Sequence, residues 1–171
     1  MNDDEIDKRG LDLIHSMVDV SRETQSRFLA YIRLLRQWQK KMNLVAPSTM
    51  DAVWERHIAD SVQIFCLAPS ARNWIDIGSG AGFPGLVSAI LMADDAERRG
   101  SVHLVESVGK KCAFLNAVGR NLDFMDAGIE LHVHRGRIEH VLPQLDAPDI
   151  ISARALAPLP MLLDMSQIYL T

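Results

Sequence analysis

The sequence predicts an α/β fold: a parallel sheet with helices on both faces, preceded by a helical extension. Three observations carry this. From Trp74 onward, short apolar runs alternate with helix-spaced segments, a pattern that forces parallel strands joined by right-handed crossovers. The run Trp74-Ile75-Asp76-Ile77-Gly78-Ser79-Gly80-Ala81-Gly82-Phe83-Pro84-Gly85 leads from an apolar strand through a glycine loop into a helix. Before residue 66 the pattern is helical only.

In chain order, Ser21 caps a helix running to about Lys41. Phe28, Ile32, Leu35, Trp38 and Met42 form its buried stripe at helical spacing. Arg33, Arg36, Lys40 and Lys41 occupy the other side. Ser48-Thr49-Met50-Asp51 resembles a capping box that opens a helix through Trp54, Ile58, Val62 and Phe65. Residues 1–68 are therefore expected as an N-terminal helical region, joined through Pro69-Ser70-Ala71-Arg72 to a ligand-binding domain at 69–171. Strands are predicted at 74–77, 102–106, 129–134 and 149–152. Helices are predicted at 84–93, at 109–121 and from Arg137. A polar turn covers 94–100, and a Pro-interrupted apolar segment covers 156–170.

Composition narrows the class. The chain has 171 residues, 48% hydrophobic and 23% charged, which suits one globular domain with an appendage. No apolar run is long enough to span a membrane. The acidic start Met1-Asn2-Asp3-Asp4-Glu5 is unlike a leader peptide. Cys66 and Cys112 sit in patterns of buried helix and form no CxxC, which predicts a reduced, cytoplasmic protein. A net charge of −4 argues against a general nucleic-acid coat but is compatible with a local basic face.

The glycine loop discriminates among cofactors. From Gly78, the third glycine of a dinucleotide motif would fall on Phe83, so that match fails. A literal match from Gly80 to Gly85 starts late and sets Pro84 beside its last glycine. The pattern D-x-G-x-G-x-G, with Asp76 as the acid and Gly78, Gly80 and Gly82 in the loop, fits better. A carboxylate there repels a pyrophosphate and suits a ligand carrying an ammonium, which favours S-adenosylmethionine (SAM) over NAD. Glycines let the backbone approach the ligand, and the helix start offers free N–H groups. A plain structural turn is the alternative. Glu106, 24 residues beyond Gly82, is placed either to accept ribose hydroxyls or to be a solvated strand-end acid. Gly136-Arg137-Ile138-Glu139 follows the third strand, where backbone N–H groups and an apolar side chain bracket an adenine. Arg154 ends the fourth strand, where open α/β sheets present their chemistry, or forms a surface ion pair. His132 and His134 share a strand face near His140, but no third ligand has a fixed geometry, so no metal is expected.

The set Asn43-Leu44, Arg56-His57…Asp60-Ser61, the glycine loop, Gly109-Lys110-Lys111…Phe114-Leu115, Arg137-Ile138-Glu139 and Ser152-Ala153-Arg154-Ala155 resembles the RsmG (GidB) family. Its members are SAM-dependent methyltransferases that modify a guanine N7 in bacterial small-subunit ribosomal RNA. The resemblance runs from about residue 25 to residue 160. It implies a Rossmann-like class I SAM-dependent methyltransferase fold, SAM as cofactor, and 16S ribosomal RNA or the small subunit as partner. A monomer without membrane association is expected. Gly78 and Phe83 would contact the cofactor, Ile138 and Glu139 would line the adenine side, and Arg154 would reach the cofactor and the target base as the catalytic residue. Asp76 and Glu106 keep the ammonium and ribose roles. RNA contacts fall to Arg33, Arg36 and Lys40 with Lys110 and Lys111, whose alternative is a solvated face, and to Asn43, whose alternative is a helix C-cap. His57 is expected as a hydrogen-bonded structural residue.

Guanine N7 attacks as a lone pair and loses no proton, so no general base is expected. Methyltransferase sheets of this type carry seven strands, and three more strands with a helix need about 30–45 residues beyond Thr171. The fourth strand is accordingly expected at a sheet edge without its C-terminal neighbours, and the family's later Lys-Gly segment is missing. Two other functions fit the residues: a SAM-dependent enzyme acting on a small molecule or protein, and a SAM- and RNA-binding domain without turnover.

Overall fold

The computed structural model describes residues 2–95, 97 and 99–169. Met1 of the acidic start, Ala96 and Arg98 of the expected turn, Leu170 of the apolar segment and Thr171 lie outside the described residues.

Helix α1 (Asp3–Met17) opens with a capping box. Asn2 Oδ1 accepts from Glu5 N at 2.8 Å, and Asn2 N donates to Glu5 Oε2 at 3.2 Å. Asp3, Asp4 and Glu5 complement the positive end of its dipole. Helix α2 (Arg22–Gln39) is capped by Ser21, as expected, and buries Phe28, Tyr31, Ile32 and Leu35. It stops short of Lys41 because the Gln39 amide turns back onto the Leu44 and Val45 backbone.

The capping box expected at residues 48–51 does not form. Pro47–Thr49 makes a 3-10 turn, and the Thr49 hydroxyl donates back to Ala46 O at 2.8 Å. Trp54–Ala59 follows as a π-helical turn that runs into α3 (Asp60–Cys66). Trp54, Ile58, Val62 and Phe65 are nonetheless all buried, as their spacing predicts. Cys66, expected inside, is exposed at the end of α3, whereas Cys112 is buried.

The second part alternates strands and helices: β1 (Asn73–Ile77), α4 (Gly85–Met92), β2 (Gly100–Glu106), α5 (Gly109–Leu122), β3 (Ile129–Arg135), α6 (Ile138–Val141), β4 (Ile150–Ala153) and α7 (Leu159–Ser166). All pairings are parallel, in the order β3-β2-β1-β4. The chain moves outward from β1 to β3, then returns to the other side of β1. The point of reversal therefore lies between the carboxyl ends of β1 and β4, where open α/β sheets bind ligands.

Trp74, Val102, Leu104 and Ile129 face α4, α5 and the helical layer in one continuous core. Ile75, Ile77 and Val105 face Val141 and Leu142 on the other side. Every residue of α4 is buried. The helical layer joins this core through Tyr31, whose hydroxyl donates to Ala81 O at 2.6 Å and whose ring lies 5.5 Å from Phe83. Burial of each large apolar side chain contributes about 1.5–3 kcal/mol, so the two layers support one another. β4 stands at the sheet edge, and Leu159, Met161 and Leu163 of α7 are exposed. Among the described residues, no helix is long and apolar enough to cross a membrane.

Candidate functional site

The loop after β1 turns on three left-handed glycines, Gly78, Gly80 and Gly82, at φ +71, +57 and +98°. Gly80 N donates to Glu106 Oε2 at 2.9 Å, and Val108 N donates to Glu106 Oε1 at 2.8 Å. One buried carboxylate thus ties the loop after β1 to the start of α5. Gly85 lets α4 sit directly on the sheet. A Cβ there would lie 2.4 Å from Leu104 Cδ2 and 2.7 Å from Asp76 Cβ.

A cavity of about 500 Å³ opens at the carboxyl ends of the strands, lined by Gly78, Glu106, Lys111, Ile138, Glu139 and Leu156 among others. Its volume suits a nucleoside-sized ligand. Each Glu106 oxygen keeps a lone pair for a hydroxyl, and Ile138 offers an apolar wall. These residues fit a SAM molecule. The sequence pointed to Glu106, Ile138 and Glu139. It did not single out Leu156, which left-handed Ala155 (φ +53°) turns over Gly78.

Other expected cofactor residues sit beneath or beside the cavity. Phe83 is buried, and Gly82 faces Leu86, so these two shape the loop. Asp76 is fully buried and does not line the cavity. Its place in the strand alternation turns it to the α4 face with Trp74, where Oδ1 accepts from Ser152 Oγ at 2.7 Å. Oδ2 lies beside Gly85 without a hydrogen-bond partner. Burial, only partly offset by Ser152, Ser79 and Gly85, raises its pKa to about 6.

Arg154 does not line the cavity either. It is half-buried, with its guanidinium carbon 5.1 Å from the Phe83 ring centroid. Nη1 donates to Arg56 O at 3.1 Å and lies 3.8 Å from Asp60 Oδ2, while Nη2 donates to His57 Nδ1. The His57 ring stacks on Phe83 at 4.9 Å. The motif Arg56-His57…Asp60 and the fourth strand, distant in sequence, therefore meet around one aromatic ring.

The expected RNA contacts divide. Arg33, Lys40, Asn43 and Lys110 are exposed, and Lys111 reaches the cavity. Asn43 is no C-cap, since α2 ends at Gln39 with Lys40 as its cap. Arg36 leaves the free basic stripe: it makes two bonds to Asp7, at 2.8 and 2.7 Å, and lies 3.7 Å from Asp3. α1 places these acids on it. His132 and His134 stand with His103, whose Nδ1 is 3.0 Å from His134 Nε2. Among the described residues, no group of histidine, cysteine or acidic side chains could hold a metal ion.

Residues 24–171 match the family described as rRNA small subunit methyltransferase G. Curated relatives agree, each named ribosomal RNA small subunit methyltransferase G. The one from Rhizobium rhizogenes is 51% identical over 147 residues, 86% of this chain and 68% of its own length. The one from Parvibaculum lavamentivorans is 50% identical over 146 residues, covering 84% and 61%. The one from Brucella anthropi is 43% identical over 152 residues, covering 89% and 68%. With the parallel sheet and the glycine loop in place, the chain belongs to the rRNA small subunit methyltransferase G (GidB) family.

Proposed function

We propose that this protein transfers a methyl group from SAM to N7 of a guanine in 16S ribosomal RNA, in the cytoplasm. The observation that carries the reading is the Glu106 carboxylate. It bridges Gly80 and Val108 on the floor of a cavity at the carboxyl ends of the strands, beside Ile138 and Glu139. We further propose that residues 69–171 supply the SAM-binding unit and 1–68 a helical region that buttresses it.

SAM supplies an electrophilic methyl group on a sulfonium. Gly78 brings bare backbone to the ligand, Glu106 accepts from its ribose hydroxyls, and Ile138 with Glu139 brackets the adenine. Asp76, ionised above about pH 6, contributes negative potential beneath the glycine loop for the methionine ammonium. Because N7 is a lone-pair nucleophile with no proton to lose, these residues need only align it, and alignment alone is worth several kcal/mol. Arg154 is the catalytic residue: its donors suit guanine O6. N7 lies on the groove edge that A-form RNA hides, so a loop or extruded base is the acceptor. Lys110 and Lys111 sit in the first turn of α5, where cations oppose the helix dipole. This local electrostatic conflict supports a role in holding phosphate, together with Arg33, Lys40 and Asn43.

Transfer of labelled methyl groups from SAM to small-subunit RNA tests the proposal. Label in guanine N7 supports it. Label only in a small molecule or protein, or SAM binding by calorimetry without any transfer, overturns it.

A further inference from the structure

Thr49, His57 and Arg154 form a hydrogen-bond relay with one direction. The Thr49 hydroxyl has a single hydrogen, given to Ala46 O at 2.8 Å. Its oxygen therefore accepts from His57 Nε2, 2.9 Å away. That fixes the imidazole with hydrogen on Nε2 and a bare lone pair on Nδ1, and Nδ1 faces Arg154 Nη2. His57 cannot fill this place when charged, since an Nδ1 hydrogen would point at a guanidinium. Burial, followed by the charge of Arg154, lowers its pKa to about 4, with Asp60 opposing and Arg56 adding to the shift. The ring also stacks on Phe83 at an interplanar angle of 16°, and Arg154 lies over the same Phe83 ring. The long Arg154 side chain has many rotamers to lose, and fixing it by one contact is expensive. Here the Arg56 carbonyl, the His57 lone pair and the Phe83 face hold it together.

We propose that His57 is a positioning residue for Arg154: a neutral imidazole, oriented by Thr49, that holds the guanidinium against Phe83 in the orientation that meets the target base. The inference rests on the role given to Arg154 above. A purely structural histidine would act through the stack on Phe83, and that stack survives in a phenylalanine.

The test uses the full chain with SAM and small ribosomal subunits lacking the methyl group. His57→Phe keeps the stack and removes both nitrogens. It is expected to lower kcat about tenfold or more while KM for SAM changes less than about threefold. His57→Asn puts an amide oxygen where Nδ1 stands and is expected to recover most of the loss. In an Arg154→Ala background, His57→Phe is expected to change kcat by less than about twofold, because the two groups act as one unit. Unchanged kcat in His57→Phe, or an equal loss in both backgrounds, overturns the proposal.

Nitrogen-15 NMR reads the relay independently of turnover. The His57 Nδ1 resonance should be that of a bare nitrogen and should move in Arg154→Ala. A protonated Nδ1, or no movement, overturns the relay. Absence of methyl transfer by the wild-type chain would instead overturn the functional reading, leaving the NMR result to decide the relay alone.

Discussion

Ser152 donates its hydroxyl hydrogen to Asp76 Oδ1 at 2.7 Å while accepting Trp74 Nε1 at 2.8 Å. The serine and the acid are register partners on β4 and β1. The pair therefore holds the edge strand to the strand that carries the glycine loop. Ser152→Ala would leave Trp74 Nε1 without its acceptor and Asp76 with one donor fewer. An unsatisfied buried group costs about 1–3 kcal/mol, so a loss of stability in that range is expected in denaturant unfolding. A loss below about 0.5 kcal/mol would mean that water replaces the hydroxyl.

Asp76 makes stability depend on pH. Its pKa is raised in the folded chain, from 3.8 to about 6, so the folded state holds its proton more tightly than the unfolded state. The contribution is fully present below about pH 4 and is lost as pH rises through about 6, amounting to about 3 kcal/mol. Asp76→Asn should flatten this segment of the stability profile between pH 4 and 7. An unchanged profile would show that the carboxyl titrates normally.

Gly80 has room but no freedom of backbone. A Cβ there would meet nothing nearer than Gly78 O at 3.7 Å, yet its φ of +57° costs a residue with a side chain about 1–2 kcal/mol. A β-branched residue would shift the loop and pull its N–H from Glu106. Gly80→Val is therefore expected to abolish SAM binding in calorimetry while the chain still folds. Unchanged affinity would contradict the assignment of this loop.

Lys110 and Lys111 make a prediction about salt. If both touch phosphate, replacing them with alanine should weaken RNA binding and reduce the slope of log K against log salt by about 2. An unchanged slope would return both lysines to the solvated surface.

The second half of the fold was legible because alternation of strand and helix is periodic and the glycine loop is local. The helical layer was only partly so. α1 has its capping box in Asn2 and Glu5, but its fit depends on Gly10, where a Cβ would lie 2.1 Å from the Trp54 ring, and on Asp7, which binds both Arg36 and Trp54 Nε1. Those are contacts across 29 and 47 positions, and no window of sequence contains them. The same reason hid the loss of Arg36 from the basic stripe. Within the site, the types and order of residues were visible, but their directions were not. Asp76, Glu106 and Arg154 all lie within one residue of a strand's carboxyl end, yet only Glu106 faces the cavity, because alternation along each strand and the packing partners decide where a side chain points.

α4 is buried along its entire length, and the glycine loop runs straight into it. Its amides can exchange with solvent only when the core itself opens, so they should be among the last in the chain to take up deuterium. The ligand-binding loop is thereby anchored to the slowest-opening segment. A bound ligand would then add protection at the loop while leaving the exchange of α4 limited by global unfolding.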